Sequence, residues 1–316
     1  KEREERGGGA GEEPRRPTGG IVREGLARSE ERAVVLAQET IVLRTGRPVL
    51  RIHRDTAVLE FKPEDSRIWR DRLTRVQDRL LRSIRAVGRV EVEGHRQLDW
   101  LGTAVMVAED VVATNRHVAA EFGRRGGSGF VFRRGPGGRD MAAAGDFVEE
   151  VDRDTNQPFR VRRILHIEDE RGPDLALLQV EPNGSALPAC VALSGRSLRN
   201  RDFVAVIGYP ARDSRIPDQR LMDEIFGNVY DKKRLAPGQV TGVERDEVLH
   251  DCSTLGGNSG SGVFDLETGE VVALHFAGRF LEANFAVPAR LLVDRLRALG
   301  RAPCRGTSPG SRRPED

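Results

Sequence analysis

Residues 256–262 read Gly256-Gly257-Asn258-Ser259-Gly260-Ser261-Gly262, with the apolar pair Val263-Phe264 directly behind them. Glycines on both sides of a serine let the backbone turn tightly and leave amides uncovered next to the hydroxyl. Two of those amides, of Gly257 and Ser259, suit an oxyanion that forms as an acyl group is transferred. Alone, such a loop is more often a plain turn than the seat of a nucleophile. Two further segments change the balance. Thr114-Asn115-Arg116-His117-Val118 lies upstream, and Gly172-Pro173-Asp174-Leu175-Ala176-Leu177-Leu178 lies between the two. In chain order His117, Asp174 and Ser259 offer a general base, an acid to orient it and a nucleophile. Singly, His117 reads equally as a core histidine and Asp174 as a loop cap. Jointly, each in its expected setting, they favour the catalytic reading.

These three segments resemble the chymotrypsin-like (trypsin-fold) serine peptidases, in a bacterial branch related to the glutamyl endopeptidases, over about residues 88–299. The resemblance implies a mostly β fold. Two antiparallel six-stranded barrels, about residues 88–185 and 200–287, would flank an active-site cleft and be followed by a C-terminal helix. It implies a serine endopeptidase acting on protein or peptide through a Ser-His-Asp triad and an acyl-enzyme, with no cofactor. In the cleavage-activated relatives an aspartate just before the nucleophile pairs with a newly freed N-terminal amine. Here that position is Asn258, which carries no charge, so cleavage before Gly88 or Val90 is expected to be unnecessary.

The resemblance also outlines a substrate pocket, walled by Ser253, Thr254, Leu255 and Gly256 on one side and His275, Phe276, Ala277 and Gly278 on the other. Ser253 stands where enzymes that cut after basic residues carry an aspartate, so a preference for lysine or arginine is not expected. Thr254 with His275 is similar to the pair with which glutamyl endopeptidases hold an acidic side chain. A hydroxyl and an imidazole N–H can satisfy a desolvated carboxylate. The other reading, a buried His275 beside a small apolar pocket shaped by Phe276 and Leu255, is equally open. The alternative function is an inactive protease-fold binding or scaffold module whose N-terminal segment does the recognition.

Composition narrows the remaining classes. The chain has 316 residues and a net charge of +2, from 51 Lys and Arg against 49 Asp and Glu, which argues against a dedicated nucleic-acid binder. No apolar run approaches the length of a membrane span, and the polar, glycine-rich start has no leader pattern. Residue 1 is lysine, so the chain reads as a fragment with further domains possible in a longer protein, and secretion stays open. Cys190, Cys252 and Cys304 form an odd, sparse set that predicts no disulfide framework and favours the cytoplasm. His53, His95, His166 and His250 make no metal-ligand spacing with the cysteines, so no metal is expected.

Along the chain, residues 1–20 are too polar to bury a core and are expected to be disordered. Residues 21–87 read as an α+β extension: a helix over 22–39, two short strands within 42–61, and a helix over 64–87. In the last, Trp69, Leu73, Val76, Leu80, Ile84 and Val87 share one face. That repeat lasts only about three heptads, which favours packing on the protein body over a coiled coil. A hairpin over 100–113 leads to His117. Residues 123–139, rich in glycine and arginine, read as a mobile loop. Further strands are expected at 159–167, 202–209, 238–243, 247–252, 270–278 and 284–288. Residues 211–235 read as a charged loop over the cleft. Leu291, Leu292, Leu296 and Leu299 mark a final helix, before a disordered tail over 300–316.

Overall fold

The computed structural model describes residues 46–306, apart from 154, 215, 217 and 280–282. The expected disordered start, the helix over 22–39 and residues 307–316 of the expected tail lie outside the described residues. The described chain opens with a short ribbon, β1 (Leu50–His53) and β2 (Thr56–Ala57), followed by the long helix α1 (Pro63–Arg85). Proline at the first turn of α1 costs nothing, because the N–H it lacks would have had no helical partner. Trp69, Leu73, Val76, Leu80 and Ile84 are all buried, so the apolar stripe packs on the body of the protein as expected. Trp69 meets Phe203 edge to face at 5.8 Å, and Ser83 Oγ donates to Gly269 O at 3.0 Å.

The first barrel contains β3 (Val87–Glu93), β4 (Trp100–Ala108) and β5 (Val111–Thr114). A short helix α2 (Arg116–Phe122) and a hairpin, β6 (Gly123–Gly126) and β7 (Gly129–Phe132), follow. Then come β8 (Ala142–Asp146), β9 (Pro158–Ile167) and β10 (Ala176–Val180). Its strands close in the order β10-β5-β4-β3-β8-β9. Alternation makes the wall: Phe159, Val161 and Ile164 of β9 are buried, while Arg160 and Arg162 face water.

The second barrel begins with β11 (Phe203–Gly208), helix α3 (Gln219–Phe226) and β12 (Arg234–Val243). It continues with β13 (Val248–His250), β14 (Gly262–Asp265), β15 (Val271–Arg279) and β16 (Ala283–Pro288), and helix α4 (Ala289–Ala298) follows. Its strands run β11-β14-β15-β16-β13-β12, and β11 pairs with β12 to close the ring. The β1–β2 ribbon extends the sheet along β12, with Leu50 opposite Leu235. Two antiparallel six-stranded barrels, a C-terminal helix and an N-terminal α+β extension are thus the architecture that the sequence led us to expect. Between the barrels, Tyr209 Oη donates to Asp146 O at 3.2 Å. The fully buried Lys233 donates to Phe147 O and to Ile84 O at the end of α1. Burial lowers the Lys233 pKa to about 8.

Several local expectations need correction. Residues 123–139 contain the β6–β7 hairpin, because Phe132 stacks on Phe122 at 6.1 Å and Phe130 packs edge-on against His166 at 5.8 Å. The insertion at 211–235 carries a helix. Asp218 caps α3 by accepting from Leu221 N at 2.9 Å, and Met222 and Phe226 bury their side chains. Cys190 and Cys304 are joined by a disulfide across 114 residues of sequence, where none was expected, with Cα atoms 6.1 Å apart. Cys304 N also donates to Val107 O at 3.0 Å, so the described start of the expected tail lies along the first barrel. Among the described residues Glu91, Asp146 and Glu149 bring carboxylates within 4.8 Å of one another. Cations of the chain answer them: Arg89 bonds both glutamates, at 2.5 and 2.9 Å, and Lys232 bonds Glu149 at 2.7 Å.

Candidate active site

Each proposed reactive side chain sits where a strand ends. Asn115 and Arg116 follow β5, and His117 occupies the first turn of α2. Asp174 stands two residues before β10, which pairs with β5, so Ala176 lies opposite Thr114. Asn115 Nδ2 donates to Asp174 O at 2.8 Å and ties the two strand ends together. Ser259 comes from the other barrel, just ahead of β14.

Two successive turns present Ser259. Asn258 N donates to Leu255 O at 3.1 Å, with Gly257 at φ +89° in the third position of that turn. Ser261 N donates to Asn258 O at 2.9 Å, with Gly260 at φ +88° in the equivalent place. A positive φ at the third residue is the type II geometry that selects glycine. Space selects it as well: a Cβ on Gly260 would lie 2.0 Å from Thr103 O, and one on Gly257 2.6 Å from the Trp100 ring. Thr103, buried in β4, holds both turns. Its Oγ1 donates to Gly257 O and its N–H to Ser259 O, each at 2.8 Å. Ala211 N donates to Gly256 O at 2.6 Å. In a trans peptide the C=O and the following N–H point to opposite sides, so this bond turns the Gly257 N–H away from Ala211.

The three side chains form one hydrogen-bonded row. His117 Nδ1 lies 2.6 Å from Asp174 Oδ2, and His117 Nε2 lies 2.7 Å from Ser259 Oγ. His117 N also donates to Asp174 Oδ1 at 3.1 Å. An ionised carboxylate only accepts, so Nδ1 carries the proton and Nε2 turns a lone pair to the serine hydroxyl. Burial by itself would raise the Asp174 pKa. The hydrogen bond and charge of the His117 ring, its backbone N–H and the nearby Arg116 outweigh that and hold it below the usual value. Ser259 Oγ also lies 3.5 Å from Phe276 O.

The pocket residues divide. Thr254 Oγ1 donates to Asn284 Oδ1 at 2.8 Å, and Asn284 Nδ2 donates to Cys252 O at 2.6 Å. His275 is fully buried on β15, its Nδ1 3.2 Å from His250 Nε2, while its Nε2 has no hydrogen-bond partner among the described residues. Burial lowers both imidazole pKa values, that of His250 to about 4, so the two rings are a neutral pair. Gly278 lies opposite Asn284 in the β15–β16 ladder. Ser253 Oγ is engaged elsewhere, donating to Arg47 O at 2.7 Å. Asn258 is buried, and its Nδ2 donates to Leu255 O at 3.1 Å within its own turn. Thr103, Ala211 and Asn284 were not foreseen from the sequence. For Thr103 and Asn284 a signal existed, since a polar side chain inside an apolar strand needs a partner.

Residues 102–274, more than half of the chain, match the trypsin-like peptidase domain. The chain belongs to the trypsin-like peptidase family. It is distantly related to bacterial proteases that include glutamyl endopeptidases. A probable serine protease of Lysobacter enzymogenes is 28% identical over 243 residues, which cover 68% of this chain and 62% of that protein. The glutamyl endopeptidase of Staphylococcus aureus strain MW2 is 27% identical over 198 residues, covering 60% of this chain and 50% of that protein. The chain therefore spans about half to three fifths of the length of these relatives. Among solved structures, Deg5 superposes with a TM-score of 0.48 at 18% identity, covering 71% of this chain and 92% of that one. The Rv3671c protease in its inactive form gives a TM-score of 0.45 at 17% identity, covering 76% and 98%. No described helix of this trypsin-like peptidase is long and apolar enough to cross a membrane.

Proposed function

We propose that this chain is a serine endopeptidase that cleaves peptide bonds through an acyl-enzyme on Ser259. The observation that carries this reading is the position of His117, within 2.7 Å of both Ser259 Oγ and the Asp174 carboxylate. His117 Nε2 takes the Ser259 proton as Oγ attacks the substrate carbonyl, and the carbonyl π electrons move onto its oxygen. The amides of Gly257 and Ser259 receive that oxyanion. His117 then gives its proton to the leaving amine, and water repeats the sequence on the ester. A fluorophosphonate probe tests this: stoichiometric labelling of Ser259 is expected, and a folded sample that takes no label fits the scaffold alternative instead.

Cleavage ahead of the barrels is not part of activation in this reading. Gly88 and Val90 lie inside β3, paired with Ala104 and Gly102, and Tyr209 Oη reaches Val87 O. A cut there would sever a barrel strand. The uncut chain should therefore turn over a small activated ester. Activity that appears only after trimming to residue 88 or 90 would overturn this.

The pocket supports cleavage after acidic residues. A buried imidazole nitrogen without a partner is costly unless a ligand meets it. His275 Nε2 is such an atom, and a neutral ring whose Nδ1 faces His250 Nε2 can offer it as an N–H donor to a substrate carboxylate. A relative carrying the name glutamyl endopeptidase points the same way. His275→Ala should lower cleavage after glutamate at least about tenfold more than cleavage after leucine. Equal losses would mean that His275 supports the fold and does not read the substrate, and cleavage mainly after arginine would contradict the pocket as a whole.

A further inference from the structure

The segment that leads into the substrate loop is not held by the second barrel alone. Residues 251–253 run between the end of β13 and a bridge residue at Thr254, just before the turn that carries Gly257, with one backbone bond to β12, from Asp251 N to Gln239 O at 3.1 Å. Within them, Asp251 and Ser253 both reach a residue more than two hundred positions earlier. Arg47 Nε donates to Asp251 Oδ1 at 2.7 Å and Nη2 pairs with Asp251 Oδ2, while Ser253 Oγ donates to Arg47 O at 2.7 Å. The strap is itself pinned to α1. Gly46 N donates to Asp65 Oδ1 at 2.9 Å, and the buried Trp69 donates its indole N–H to Gly46 O at 2.8 Å. The Arg47 guanidinium lies 5.7 Å from the centre of the Trp69 ring.

We propose that Gly46-Arg47 is an intramolecular strap that holds the wall of the substrate pocket in its receptive shape, with Arg47 as the positioning residue. The inference rests on the peptidase reading above. Arg47 and Asp251 side chains are only 13% and 16% exposed, so this is no loose surface pair. Forked two-point pairing fixes orientation as well as distance. Without the guanidinium, a mostly buried carboxylate loses its cation and gains by turning towards water. Its backbone is the stretch that leads, through Cys252 and Ser253, to Thr254 and the Gly257 turn. Gln239 N, which also donates to Asp251 Oδ1 at 2.7 Å, cannot replace the lost charge. Gly46-Arg47, within the N-terminal extension, thus forms the outer brace of the site.

The test uses the full chain carrying Arg47→Met or Arg47→Lys. Amide exchange over residues 251–256 should rise at least about tenfold in Arg47→Met, with exchange of the first barrel unchanged. KM for a peptide should rise about tenfold, while turnover of 4-nitrophenyl acetate, which places no side chain in the pocket, should change less than about twofold. Arg47→Lys, which keeps the charge and loses the fork, should fall between. If Arg47→Met does not fold, Arg47→Lys decides by the same readouts. Unchanged exchange at 251–256 would overturn the strap. So would parallel losses on peptide and ester together with a lowered melting temperature, which mark a purely structural role. Failure of the wild-type chain to react with a fluorophosphonate would instead remove the peptidase reading, and the exchange experiment would still decide the strap.

Discussion

Ser259→Ala is expected to lower peptide turnover about 10⁶-fold, with His117→Ala close behind. In the proposed mechanism the hydroxyl and the ring act as one unit: at 2.7 Å, Nε2 is placed to remove the Oγ proton in the step in which Oγ bonds to carbon. Either substitution alone ends that step, so the double variant should be hardly worse than Ser259→Ala. What persists comes from the amide donors and substrate binding, worth about 10³ to 10⁴ over water. The fold should be unaffected, because Thr103 holds the turn through the backbone carbonyls of Gly257 and Ser259, which alanine at 259 leaves in place. Steady-state turnover of a fluorogenic peptide by inhibitor-treated, purified variants checks this. Independent, multiplicative losses in the double variant would contradict it.

Asp174→Asn is expected to cost about 10⁴-fold in turnover while the chain still folds. The reason lies in the second oxygen. Asp174 Oδ1 accepts from His117 N, and Arg116 Nε lies 4.0 Å from it, so that position calls for an acceptor. An asparagine therefore keeps its oxygen there and turns its NH₂ towards His117 Nδ1. That drives the ring proton to Nε2, where it faces the serine hydroxyl and cannot accept from it. The native carboxylate stays ionised because its pKa lies below the usual value. The sign follows: its contribution to stability is present above the unfolded value of about 3.9 and is lost as pH falls through the lower folded value. Asp174→Asn should lose that part of the acid dependence. Turnover near wild type would show that Asp174 does not orient the base.

Much of the fold was legible because it rests on local rules. Alternation marked the individual strands and the stripe from Trp69 to Ile84 marked α1, while the two-barrel arrangement came from the family resemblance carried by the three motifs. The positions of His117, Asp174 and Ser259 were legible from three short motifs, and the structure brings them into one row. What sequence could not show depends on distant contacts. β8 is built of Ala142, Ala143, Ala144, Gly145 and Asp146, residues with no strand preference, and exists because β3 and β9 pair on either side. The β6–β7 hairpin hides among glycines and arginines and rests on ring contacts of Phe130 and Phe132. The Cys190–Cys304 bond and the Arg47–Asp251 pair join residues more than a hundred positions apart, and no spacing rule announces either. The His250–His275 pair was half visible: His275 was placed at the pocket, but its partner on β13 becomes a neighbour only through the pairing of β13, β16 and β15.

We propose that Ser259, activated by His117, carries the acyl group. Rapid mixing with a 4-nitrophenyl ester of an N-acylated glutamate, acid quench and peptide mapping by mass spectrometry test it most directly. A burst of one nitrophenolate per chain and an acyl adduct on Ser259 are expected. Nitrophenolate release without a burst, or an adduct on another residue with Ser259 unmodified, would contradict it.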